Sequence, residues 1–168
     1  NIESKYSLLI LKENDTEAFE YLKTVYYNFN EKTTIKDLSE FIRSTEDYNK
    51  KLREKIISIN SDNYVDSKIK QDLYYKQMTI EYFLNYSKLK RGVLKIELED
   101  FKGAIIDLDD ALNYFIKIKS SEVIAKCYMM KGYALLFSNN KEGACRNFSK
   151  AGEYGIDNAY DEIKRNCK

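Results

Sequence analysis

Histidine, proline and tryptophan are absent from this sequence. Without histidine there is no imidazole base, no Ser–His or Cys–His nucleophile pair, and none of the commonest zinc ligand. Without proline, no helix interior is forced to kink by one. Long apolar runs are missing too. The longest, such as residues 8–11, fall far short of the ~18–20 residues of a spanning helix and are too short for a signal-peptide core. Neither sign of charge dominates: 28 basic and 27 acidic residues leave a formal net charge of +1. Residues 1–84 carry 13 basic and 15 acidic side chains, and residues 85–168 carry 15 and 12. That balance gives no electrostatic support to a nucleic-acid or anionic-membrane partner. The glycines fit neither a phosphate loop nor a dinucleotide fingerprint, so no cofactor is expected. The chain opens on Asn1 rather than Met, and the expectation is a processed product from which any targeting segment has gone.

What is present is apolar content at helical spacing. The 168 residues suffice for one domain with a sizeable core or two very small ones. Fifteen tyrosines can build broad contact surfaces with hydroxyl tips. Phe19, Leu22, Tyr26 and Phe29 mark one helix, with Asp15 or Thr16 as its cap. Residues 28–32 read as a polar connector. Thr34 with Asp37 has the form of a capping box with Asp in place of Glu. Leu38, Ile42, Thr45, Tyr48, Leu52, Ile56 and Ile59 share one face of a longer helix. Residues 60–66 are turn-like. From Asp66 to about Leu98 no breaker interrupts a helical pattern, which implies one helix of roughly 50 Å or two joined near Asn85. No segment alternates with period two, so the expected fold class is all-α.

The back half repeats itself. Residues 88–111 superpose on residues 128–151 at a constant offset of 40. Gly92 falls on Gly132, Gly103 on Gly143, Ala104 on Ala144, Leu108 on Phe148 and Ala111 on Ala151. Small residues recur where two helices of a hairpin cross closely, and large apolar ones fill the space between crossings.

With Tyr128 in the second unit, these positions resemble the tetratricopeptide repeat, over about residues 85–168. The last run, from Lys141, Gly143 and Ala144 to Tyr160 and Cys167, is similar to small bacterial proteins of that family, common in the Bacteroidetes group. The chain departs from the family in its 40-residue period, in Lys88 where an aromatic is usual, and in the missing proline. The extra residues are expected to lengthen the helix that runs through residues 114–118. The resemblance implies antiparallel helical hairpins stacked as a short right-handed superhelix. Residues 1–84 extend or cap it, and residues 85–168 form two repeats and a closing helix.

Cys145 lies near the start of the last repeat's second helix and Cys167 near the end of the closing helix. Residue 156, midway between them, falls in a turn at residues 155–157. An antiparallel hairpin about that turn sets the two opposite each other, within the ~7 Å between Cα atoms that a disulfide allows. The alternative is two buried thiols acting as small hydrophobes. A disulfide would pin the closing helix and imply a periplasmic, cell-envelope or extracellular setting; otherwise the cytoplasm stays open. Cys127 reads as core.

The resemblance also implies a concave wall from the first helix of each unit: Tyr86, Leu89, Val93 and Ile96, then Lys126, Met129, Tyr133 and Leu136. Members that clamp a peptide carboxylate use Lys and Asn on this wall. Leu89, Val93, Met129 and Tyr133 stand there instead, so no such clamp is expected. The implied role is to hold another protein or peptide without catalysis. Alternatively, the helices of residues 1–84 fill the groove, the wall is core, and the chain is a structural, self-associating subunit. Three further patterns read as chance or solvated faces. They are an acidic group (Glu97, Glu99, Asp100, Asp107, Asp109, Asp110) in which Asp100 reads as a helix N-cap, a basic group (Lys88, Lys90, Arg91, Lys95), and two Ser-x-x-Lys spacings (Ser67 with Lys70, Ser87 with Lys90). No metal site and no enzyme activity are expected.

Overall fold

Helical apolar spacing carries directly into the architecture. A computed structural model describes residues 2–11, 15–60 and 66–167. Among them the regular elements are α-helices alone, so the fold is all-α. The eight described helices are α1 (Ile2–Leu11), α2 (Asp15–Tyr27), α3 (Ile35–Asn60), α4 (Ser67–Glu97), α5 (Phe101–Lys117), α6 (Ser121–Phe137), α7 (Lys141–Glu153) and α8 (Asn158–Asn166). The stretch from residue 66 is one unbroken helix, α4, whose 31 residues span about 46 Å. Asn85, where a joint was conceivable, donates its side-chain amide to the Glu81 carbonyl at 2.8 Å and stays in register. Of the turn expected at 60–66, residues 61–65 lie outside the described residues. Contacts divide the chain into two compact units, Asn1–Ser87 and Lys88–Lys168, with α4 contributing residues to both.

In the first unit, α1 and α2 pack on α3, around Tyr6, Phe19, Leu22, Phe41, Tyr48, Leu52, Ile80 and Phe83. Rings dominate this core. Tyr26 stacks on Phe83 at 4.0 Å, and Phe29 meets Phe41 edge-on at 5.0 Å. Two of its tyrosine hydroxyls are satisfied within the core: Tyr6 donates to Asp47 at 2.8 Å and Tyr48 to the Asp15 carbonyl at 3.0 Å. Burial pushes the phenols of Tyr6, Tyr26 and Tyr48 well above their ordinary value, with help at Tyr6 from Asp47. Thr34 and Asp37 form the reciprocal capping pair. The Thr34 amide donates to the Asp37 carboxylate at 2.9 Å, and the Asp37 amide to the Thr34 hydroxyl at 3.2 Å.

Two local expectations are corrected here. Asp15 and Thr16 sit inside the first turn of α2 rather than capping it. There the Asp15 charge lies in a first helical turn, where an anion is favoured, and its carboxylate pairs with Lys55 at 2.7 Å. Phe29 falls beyond α2, in the connector, and reaches the core from there.

In the second unit, α5, α6, α7 and α8 pack successively. Four turns join the helices, and all have one form. At each, a single residue turns left-handed: Glu99 (φ 61°), Lys119 (φ 57°), Asn139 (φ 62°) and Gly155 (φ 103°). The amide of that residue donates three residues back and the next amide five residues back, as in Glu99 to Ile96 at 3.0 Å and Asp100 to Lys95 at 2.9 Å. This pattern satisfies the orphan carbonyls of the ending helix. In the two turns 40 residues apart, the same residue that closes one helix opens the next. Asp100 and Asn140 each cap by accepting the amide of Gly103 or Gly143, at 2.9 Å in both cases.

The four repeated glycines do two different jobs. At Gly92 an added Cβ would come within 3.0 Å of Leu108, and at Gly132 within 2.5 Å of the Phe148 ring. These are the close helix crossings. Gly103 and Gly143, expected to serve the same purpose, instead lie beneath the capping side chains of their own helices, against Asp100 and Asn140. A Cβ there would displace the cap, not a neighbouring helix. The alanines at 104, 111, 144 and 151 are fully buried. Helix α5 has 17 residues and α7 has 13, so part of the longer period lies in the last turn of α5.

Gly132→Ala is expected to lose about 1–3 kcal/mol in urea denaturation, because the Phe148 ring is fully enclosed and cannot yield. Gly155→Ala is expected to lose about 1–2 kcal/mol for a different reason, the left-handed backbone, since nothing lies within 4 Å of the added atom.

Candidate functional site

The wall residues separate by burial. Leu89 and Met129 are buried, at 6% and 3% exposure, and a partner cannot reach them without rearrangement. Tyr86, Val93, Ile96, Tyr133 and Leu136 are half-buried, and Lys126 is exposed. Tyr86 belongs to the first unit, where it stacks on Tyr82 at 5.9 Å. Met129, Tyr133 and Leu136 are brought together on α6 and join a cluster with Phe148, Ala151, Ala159 and Ile163 from α7 and α8. Lys126 points its charge at Glu122, one turn earlier, at 2.6 Å.

Tyr133 is more constrained than its position implies. Its ring meets Phe148 edge-on at 5.3 Å and stacks on Phe137 at 6.1 Å. Burial first, and the nearby Glu162 carboxylate of α8 second, push its phenol above its ordinary value. Glu162 was not foreseen, since its role depends on where α8 lies. Phe137 was also not singled out. It is 54% exposed and continues the ring ladder to Phe101 at 5.9 Å. With Tyr133 and Leu136 it forms the apolar end of α6.

Several members of the acidic and basic groups pair across α4, α5 and α6. Lys88 meets Asp110 at 2.9 Å and Lys131 meets Asp109 at 2.5 Å. Asp100 serves as a cap. Asp107 is 97% buried by residue surface (3% exposed). Arg91 grips both its oxygens, at 2.8 and 2.7 Å, and Lys95 approaches at 2.8 Å. Burial alone would raise this carboxyl, but the hydrogen bonds and charges of Arg91 and Lys95 outweigh it and hold it below the usual carboxylate range. Lys95 also donates to the Gly103 carbonyl at 3.3 Å. These contacts lock α4 to α5. The second hairpin has no counterpart: Leu135 and Asn147 stand at the equivalent positions, and Asn147 donates to its own helix at 2.8 Å.

Cys145 and Cys167 are joined by a disulfide with Cα atoms 5.8 Å apart. Cys127 is wholly buried, and burial pushes its thiol up to about 12. A thiol so placed is a small hydrophobe rather than a nucleophile. Ser87 is also fully buried, which removes its hydroxyl from any solvent-borne substrate. Among the described residues no helix is long and apolar enough to cross a membrane.

Comparison with protein-family models, with curated proteins and with solved structures finds no match.

Asp107→Asn is expected to destabilise the chain by about 3–5 kcal/mol, because it strands two largely buried cations. The sign of the pH dependence follows from the depressed carboxyl. Its contribution is complete above the unfolded value of about 4 and is lost as pH falls through the folded value. Asp37 and Asp47 are depressed as well and share that window. In acid titrations of stability, the variant should show a shallower loss below about pH 4 than the parent.

Proposed function

We propose that this chain is a non-catalytic protein-binding module of tetratricopeptide type, holding another protein or peptide on its helical hairpins in the cell envelope of a bacterium. One observation carries the reading. Two hairpins 40 residues apart reuse the same glycine-to-large-apolar crossing, at Gly92 with Leu108 and Gly132 with Phe148, and the same cap and turn geometry. Such repetition builds a wall of regularly spaced side chains, and walls of that kind suit an extended or helical partner better than a small substrate. The inert Cys127 and the absence of histidine favour binding over catalysis. The binding side chains in this reading are Val93, Tyr133, Leu136 and Lys126, with Leu89 and Met129 beneath them as support. The disulfide supports an oxidising compartment.

A second reading, a self-associating structural subunit, draws on residues left more than half exposed in the first unit, notably Tyr27, Ile57 and Met78. Light scattering on the eluted chain separates the two, since self-association requires a stable oligomer at micromolar concentration.

For the binding reading, cross-linked capture from the native envelope should recover one dominant partner with the parent chain. Leu136→Lys and Lys126→Glu should reduce that recovery at least tenfold while leaving the thermal melt within a few degrees. Arg146→Glu, on the exposed part of α7, should leave it unchanged. Equal recovery by all four proteins would remove the wall from consideration.

A further inference from the structure

Helix α8 is held differently from every other helix of the second unit. It has nine residues, fewer than an isolated helix needs to persist in water. Ala159 is its one fully buried residue; Ile163 is partly buried, as is Ile156 just before it. The Tyr160 ring lies across Gly152, 2.7 Å from where a Cβ would be. At its start, Asp157 provides no side-chain cap. The chain enters through Gly155, where an added Cβ would meet nothing within 4 Å. The far end is tied by the bond from Cys167 to Cys145 of α7, 22 residues away in sequence. Both cysteines are half-buried and so within reach of a small reductant.

We propose that α8 is a redox-latched strap. The disulfide keeps it seated, and reduction lets it swing on Gly155 away from Tyr133 and α7. The step is a two-electron thiol–disulfide exchange with a dithiol. One thiolate of the reductant attacks a sulfur of the Cys145–Cys167 bond, and its second thiol resolves the mixed disulfide. The products are two protein thiols and the oxidised, disulfide form of the reductant. The latch matters because of loop closure. With the bond intact, a lifted α8 remains tethered to α7 at both ends; without it, Cys167 is no longer tied to α7. For a loop of this length the difference favours the open form by about a hundredfold. Opening removes Ala159 and Ile163 from the cluster, enlarging the apolar surface at the end of α6. Its use as a gate for a partner rests on the binding reading above, but the latch itself does not.

Amide exchange on the whole chain, with and without dithiothreitol, tests it. Amides of residues 158–167 should exchange about a hundredfold faster after reduction, while those of α5, α6 and α7 change less than twofold. Cys167→Ser should exchange at the fast rate in both conditions. Unchanged protection in α8 overturns the proposal. So does acceleration of α5, α6 and α7 together with α8, which would make the disulfide a global brace. No partner enters the measurement, so it can fail while the binding reading stands, and partner capture can fail while the strap stands.

Discussion

Helices α6 and α7 can approach only as closely as position 132 permits. A hydrogen there lets the Phe148 ring lie against the α6 backbone; a methyl would occupy the ring's own space. The same contact joins Gly92 to Leu108. Once those crossings are set, much else follows from covalent geometry. The buried alanines at 104, 111, 144 and 151 sit where only small side chains fit. The turns are short because the helix ends are already near each other, and each closes with one left-handed residue. Charges placed across the crossing then meet without adjustment. Lys88 with Asp110, Arg91 with Asp107, and Lys95 with Gly103 step in opposite directions along α4 and α5, as an antiparallel pair requires.

Periodicity made the helices legible, and with them the all-α class, because burial on one face of a helix leaves a trace every three to four residues. The long face from Leu38 to Ile56 and the Thr34–Asp37 cap are instances. Self-similarity made the crossings legible as well. Less could be read where a residue's role depends on a neighbour far along the chain. Asp107 looked like one more acid on a solvated helix until Arg91 and Lys95 were placed beside it. Glu162 carried no signal, since its meeting with Tyr133 depends on the path of α8. Gly103 and Gly143 show the opposite error. Repetition marked them correctly as special, but glycine under a cap and glycine at a crossing look alike in sequence.

The two hairpins share a frame and differ in what fastens it. The first is fixed by a buried ion cluster from Arg91, Lys95 and Asp107. The second relies on the larger Phe148 ring, and its α7 carries the covalent tie that holds α8. Ionic fastening weakens in acid and the covalent tie in reductant, so the first hairpin and the closing helix respond to different surroundings.

The crowded tyrosines of the first unit give the chain an optical signature. With no indole present, phenols dominate its near-ultraviolet absorbance. The deeply held rings of Tyr6, Tyr26 and Tyr48 resist ionisation, whereas Tyr27 lies open to solvent. In alkali, these three core rings would therefore add their tyrosinate absorbance only as the helices of the first unit come apart. The first unit thus carries its own unfolding indicator, without any added dye.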